Sequence, residues 1–219
     1  MKKAAFAKPR LVHWSSYCAA LVLPLWFAGC ADQRRLSADG GTASTQQPHA
    51  YRESIDIGGR FSAQFERNDK PEAWNGSFVW AQSPQGTTVT LQSPLGATLA
   101  TIAINKANAV LMQSGHAPRS AANVDALVEE ALGWPLPISN LRDWLQAYAV
   151  TADGKRIMAT PQLTTTIATR DGWRIRYVSW QDENELNMQN VPKRIDMERD
   201  TVEAGKVLMR LVVTSWQSH

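Results

Sequence analysis

The chain has 219 residues, 44% of them hydrophobic and 20% charged, with a formal net charge of +3 and a pI near 9.0. That length fits one domain with a core of ordinary size. The basic balance belongs to the start of the chain: four of the 23 Lys and Arg, and none of the 20 acids, lie before residue 30. The remainder is close to neutral, which removes the case for nucleic acid, a ligand that calls for a basic face interleaved with aromatic residues.

Lys2, Lys3, Lys8 and Arg10 precede an apolar core from about Tyr17 to Phe27, the positive-then-apolar order of an export signal. The core is too short for a bilayer span, which needs roughly 20 apolar residues, and Pro24 interrupts it. It closes on Phe27-Ala28-Gly29-Cys30, and the segment resembles a lipoprotein signal with its lipobox, although Phe27 stands where Leu is usual. Residues 1–29 are therefore expected to be a leader and Cys30 the lipid-attachment residue of the mature protein. The alternative is ordinary cleavage that leaves Cys30 a plain thiol. Cys18 leaves with the leader, so no disulfide is expected, although an export compartment permits one. Residues 31–50 are rich in Ala, Ser, Thr, Gln and Gly without apolar periodicity and read as a flexible tether. About twenty such residues reach some 25 Å in root-mean-square length.

From Ile55 the pattern alternates through Ile57, Phe61, Ala63 and Phe65, which predicts a half-buried strand kinked at Gly58-Gly59. A second run puts Trp74, Gly76, Phe78 and Trp80 on one face, and after the turn Ser83-Pro84-Gln85-Gly86 the alternation resumes from Thr87 to Gln92. Past Ser93-Pro94-Leu95-Gly96, strands are expected at Thr98–Ile104 and Ala109–Gln113. The period then lengthens. Val124, Leu127, Val128, Ala131 and Leu132 predict a helix capped by Ser120 or Asn123 and stopped by Gly133 and Pro135. After Pro137 a second helix is expected through Ile138, Leu141, Trp144, Leu145 and Tyr148, capped by Ser139 or Asn140. A later block of strands covers 156–160, 162–169, 173–180, 194–198 and 206–216, with a hairpin turn at Asp171-Gly172. The expected fold is mainly β (α+β): a strongly curved antiparallel sheet forming an open half-barrel, covered by short helices.

Catalytic parts are missing from the sequence. His13, His49, His116 and His219 share no helix face or strand, which argues against metal and Cys/His chemistry. Glu129 and Glu130 are adjacent on a helix and diverge by about 100°, so a solvated face is favoured over acid–base work. No phosphate loop and no nucleophile elbow occurs. The chain is not expected to be an enzyme, and no cofactor or metal is expected.

Several short motifs, in their order and spacing, resemble the LolB family of outer-membrane lipoprotein receptors from about Ile55 to Trp216. They are Gly59-Arg60-Phe61, Ser77-Phe78-Val79-Trp80, Leu91-Gln92-Ser93-Pro94-Leu95-Gly96, Leu132-Gly133-Trp134-Pro135-Leu136-Pro137, Leu141-Arg142-Asp143-Trp144-Leu145, Asp171-Gly172-Trp173-Arg174-Ile175-Arg176-Tyr177, Val191-Pro192 and Leu211-Val212-Val213-Thr214-Ser215-Trp216. One departure follows Leu145, where the family usually shows a glycine and this chain has Gln146-Ala147. The resemblance implies a half-barrel around an apolar cavity that takes the acyl chains of client lipoproteins from the soluble periplasmic carrier LolA and delivers them to outer-membrane lipid. It implies a monomer anchored to the periplasmic face of the outer membrane. It also places Pro94, Leu95 and Gly96 on a protruding loop used for membrane insertion; on the residues alone, Leu95 folding back onto the core is the favoured reading. Cavity candidates are Phe61, Phe78, Trp80 and Leu91 from strand parity and, from the helices, Leu127 and Trp144. The competing expectation is a structural lipoprotein, such as an envelope-assembly scaffold, sharing anchor, tether and domain but with a filled core. Asp32 one residue beyond Ala31, rather than at its place, agrees with outer-membrane residence. Arg174, Arg176, Lys193 and Arg194 could meet an acidic carrier face or be solvated strand residues.

Overall fold

The computed structural model describes residues 50–182 and 190–219; the leader, Cys30 and the tether as far as residue 49 lie outside the described residues. Strands β1 (Ile55–Arg67), β2 (Lys70–Ser83) and β3 (Gly86–Gln92) form the expected antiparallel meander. Ile55, Ile57, Phe61, Ala63 and Phe65 are buried while Arg60, Gln64 and Glu66 are exposed, so period-2 patterning fixes which face of β1 points inward. β1 and β2 join through Asn68-Asp69, both with positive φ (51° and 59°), a turn whose twist matches that of the flanking strands.

The meander continues through β4 (Thr98–Asn105), β5 (Ala109–Gln113) and β6 (Arg119–Ala121). After the helices α1 (Val124–Leu132) and α2 (Ile138–Trp144) come a separate two-stranded pair, β7 (Tyr148–Val150) with β8 (Arg156–Met158), and then β9 (Ile167–Ala168), β10 (Arg174–Trp180), β11 (Pro192–Asp200) and β12 (Lys206–Ser218). The main sheet has ten strands in the order β6-β5-β4-β3-β2-β1-β12-β11-β10-β9, all neighbours antiparallel. The expected open, mainly β architecture is the one found. Both edges are very short strands, three and two residues, which leaves little unpaired backbone as a template for aggregation. The expected kink in β1 is a bulge: Gly58 pairs with Ser215 and Gly59 with Val213, so Thr214 of β12 is the extra residue.

Asn123 caps α1, its side-chain oxygen accepting from Ala126 N at 3.1 Å, and Gly133 ends it at φ 77°. The cap of α2 departs from expectation. Neither Ser139 nor Asn140 caps it; instead the Asp125 carboxylate of α1 accepts from Ser139 N at 2.9 Å and from the Ser139 hydroxyl. A carboxylate is favourable at a helix N-terminus, so one acid serves two helices. α2 also stops sooner than its periodicity suggests, and Tyr148 opens β7. The break comes at Ala147, a fully buried residue at φ 65°, where the left-handed conformation would suit glycine. The expected strand over 162–169 shrinks to Ile167–Ala168.

On the outward face of β10, β11 and β12, Asp196 gathers three arginines: Arg194 at 2.7 Å, Arg210 at 3.1 Å and Arg176 at 3.4 Å. Arg174 bridges Glu198 at 2.7 Å and Asp200 at 2.8 Å. Partial burial opposes ionisation of Asp196, but hydrogen bonds from Arg194 and Arg210, with their charges, hold its carboxyl below the ordinary aspartate value. A depressed folded pKa stabilises the protein at neutral pH, and that contribution is lost as pH falls through it.

Two outcomes follow from this architecture. Ala147→Gly raises stability by up to about 1 kcal/mol in urea titration, relief of the left-handed strain exceeding the added chain entropy of glycine. Asp196→Asn costs about 2 kcal/mol at pH 7, and in titrations at successively lower pH its deficit against the wild type shrinks from the ordinary aspartate value, about 3.9, downward.

Candidate functional site

The inward face of the sheet carries one buried cluster that runs from Ile55 to Trp216 and includes residues of every strand from β1 to β5. Within it, β1 and β2 meet through two unusual pairs. Gly59 stands opposite Phe78, and Phe61 stands opposite Gly76. A Cβ on Gly59 would lie 2.5 Å from the Phe78 ring and 2.5 Å from Val212 O; one on Gly76 would lie 2.0 Å from Gln92 O and 3.0 Å from the Phe61 ring. Each ring therefore leans across the neighbouring strand onto a glycine, the device by which aromatic residues cover glycines in curved sheets.

Above these rings lies a cavity of about 30 Å³ whose lining is entirely apolar. Its sheet wall consists of Phe61, Phe78, Trp80, Val89, Leu91, Met209 and Leu211. Its cover consists of Leu136 before α2, Ile138 and Leu141 within α2, and Leu145 directly after it. The only polar atom of the wall's side chains is the Trp80 indole nitrogen, and it donates to Gln82 Oε1 at 3.2 Å, away from the void. A void needs only about 10–15 Å³ of such space to admit a water. With no polar partner in the lining, water gains nothing there, and the site suits hydrocarbon.

Strand parity thus brings together four of the six cavity candidates: Phe61, Phe78, Trp80 and Leu91. Leu127 and Trp144 are buried outside this lining. Trp144 packs edge-on against Trp173, with ring centroids 6.2 Å apart, and its carbonyl accepts from Tyr177 Oη at 3.1 Å. Burial, reinforced by the Asp143 carboxylate, pushes the Tyr177 phenol well above its usual value, so it stays a donor. The residues missed were legible in principle. Val89 shares parity with Leu91, Met209 with Leu211, and Ile138, Leu141 and Leu145 recur at i, i+3, i+7.

The cover is fastened at both ends. Arg67 donates to Leu132 O at 2.5 Å, and its guanidinium lies 5.5 Å from the Phe65 ring centroid and 5.6 Å from that of Trp74. Trp134, just beyond α1, stacks on Phe65 at 5.3 Å. At the other end Gln146, fully buried, accepts from Arg52 N at 2.8 Å and donates to Arg52 O at 3.0 Å. Arg142 of α2 pairs with Glu53 at 2.8 Å and donates to Tyr51 Oη at 3.1 Å.

Leu95 lies in a tight turn between β3 and β4. Gly96 N donates to Ser93 O at 2.9 Å and Ser93 N to Ala97 O at 2.8 Å, and Gly96 takes φ 86°. Pro94, Leu95 and Gly96 are all exposed, and the Leu95 side chain is 98% exposed, so it does not fold back onto the core. Of the basic candidates, Arg174, Arg176 and Arg194 are engaged in the ion pairs above, while Lys193 is exposed.

The fold is an open antiparallel half-barrel whose inner face is covered by short helices over a small apolar void. Comparison with known proteins gives the family. Residues 53–216 match the family model described as outer membrane lipoprotein LolB. The chain is 35% identical over 196 residues to the outer-membrane lipoprotein LolB of Cupriavidus metallidurans, covering 88% of this chain and 92% of that protein. It is 36% identical to the corresponding proteins of Cupriavidus necator, over 87% of this chain and 90% of that one, and of Ralstonia nicotianae, over 78% and 81%. The chain belongs to the LolB family of outer-membrane lipoproteins.

The glycine pairs give a direct check on the pocket. Gly76→Ala pushes a methyl group into Gln92 O and the Phe61 ring; the expected cost is about 2 kcal/mol in urea titration, with altered near-ultraviolet dichroism from the displaced aromatic wall.

Proposed function

We propose that this protein is a lipid-anchored receptor that accepts lipoproteins from the periplasmic carrier LolA through their acyl chains and inserts them into the outer membrane. The observation that carries the reading is the wholly apolar lining of the covered cavity. In this reading residues 1–29 are removed, Cys30 bears the anchor, and 30–50 tether a binding domain over 51–219.

The void of about 30 Å³ is far smaller than an acyl chain, so a chain enters only if the pocket widens. Entry requires α2 and the segment before it to lift from the sheet. Burial of hydrocarbon is worth about 0.8 kcal/mol per CH2, and because the chain arrives from another apolar pocket only the difference between the two burials is available to lift the cover. Against it stand a few fastenings, Arg67 to Leu132 O and Gln146 to Arg52 among them. Transfer from carrier to receptor then needs only a difference in burial between two apolar pockets, with no nucleotide consumed. Delivery needs a route into the bilayer, and Leu95 supplies it. Its side chain is already in water, so entry into the acyl region gains burial without dismantling any packing.

The test is transfer in two stages. A Leu95→Glu protein takes a labelled lipoprotein from the carrier at the wild-type level but delivers it to liposomes at least tenfold more slowly. Wild-type delivery by this variant would remove the loop from the mechanism.

A further inference from the structure

From Trp74 to Asn105 the chain contains no Asp, Glu, Lys, Arg or His, although a fifth of all residues are charged. This run forms most of β2 and all of β3 and β4, and β5 is uncharged as well. An uncharged inward face is expected of a core. The outward face is where strands of a water-exposed sheet ordinarily carry charge, and here it carries none. Register lines its positions up: Val79 pairs with Thr90, Thr90 with Thr101, and Thr101 with Met112, a row across four strands. Val79 is 46% exposed, Met112 44%, and Leu99, two residues from Thr101 on β4, 41%. Leu99 lies just past the turn that presents Leu95, so the two belong to one continuous surface.

The other half of the same outward face is the opposite in character. β10, β11 and β12 place Arg174, Arg176, Asp196, Glu198 and Arg210 there. One sheet therefore has a charged outer half and an uncharged outer half, and the exposed loop grows from the uncharged one.

We infer that the outward face of β2–β5 is a membrane-resting surface whose occupant is the phospholipid interface. The inference rests on the reading of Leu95 as a membrane probe. An interface of headgroups and upper acyl chains penalises charge brought into it but accepts threonine hydroxyls, which can bond to headgroup oxygens, beside Val, Leu and Met, which enter the acyl boundary. The face matches that composition and continues into Leu95. The domain thus lies on the bilayer along this half-sheet, the Leu95 turn goes deepest, and the Asp196 network faces the periplasm.

The test uses the full-length protein, processed in its own envelope and reconstituted into phosphatidylethanolamine–phosphatidylglycerol vesicles. Single Leu95→Cys, Thr101→Cys, Met112→Cys and, on the charged side, Gln64→Cys variants carry an environment-sensitive fluorophore, with lipids brominated near the headgroup as quencher. The expected result is at least twofold quenching at positions 95, 101 and 112 and none at 64. Quenching at 95 alone overturns the inference and leaves the loop reading intact; quenching nowhere overturns both. Equal quenching at 64 overturns the orientation. Fluorophores at 101 and 112 that are buried without lipid, in a species of doubled mass, would assign the face to a second copy and overturn the membrane assignment.

Discussion

The antiparallel pairing of β1 is the constraint on which the rest of this molecule depends. β1 lies between β2 and β12, so it alone joins the meander of the first half to the strands of the second. Everything the sheet does is decided along its thirteen residues. At Gly58-Gly59 the register with β12 slips past Thr214, which bends the sheet. One residue later the exchange of Gly59 with Phe78 and Phe61 with Gly76 lays two rings on the inner surface instead of standing two branched side chains there. Curvature and cavity have one origin.

That origin was partly visible in the sequence. Alternation located β1, β2, β3, β4 and β5 within a few residues, because half-buried strands must alternate if one face is to be dry. It also marked Phe61, Phe78, Trp80 and Leu91 as inward. It did not say how far each lies from the void. Leu127 and Trp144 are buried in the core yet lie outside the cavity lining, and periodicity carries direction without depth. The end of α2 was hidden for a different reason. Its apolar spacing continues to Tyr148, but the buried amide of Gln146 exchanges two hydrogen bonds with Arg52, ninety-four residues away, and beside it Ala147 takes a conformation its own propensity disfavours. The Asp125 cap of α2 is likewise a contact between elements. Local rules placed a cap near Ser139, and tertiary structure supplied it from the neighbouring helix.

The division of the outward face was also legible, as a run without charge. Within the core its meaning is ordinary. It becomes informative only when register shows that half of those residues point away from the core, because only then does the absence of charge describe a surface.

α2 has two duties that bear on each other. Through Leu141 and the adjoining Leu145 it closes the cavity, and through Arg142 and the adjoining Gln146 it holds Tyr51, Arg52 and Glu53, the first described residues after the tether. The same short segment also anchors Gln82, whose amide donates to Arg52 O at 3.1 Å and whose oxygen accepts from the Trp80 indole in the cavity wall. α2 therefore cannot lift without either carrying residues 51–53 along or breaking the hydrogen bonds that Gln146 and Arg142 make to them, each worth on the order of 1 kcal/mol. In either case residues 51–53 respond to any movement of the pocket's cover.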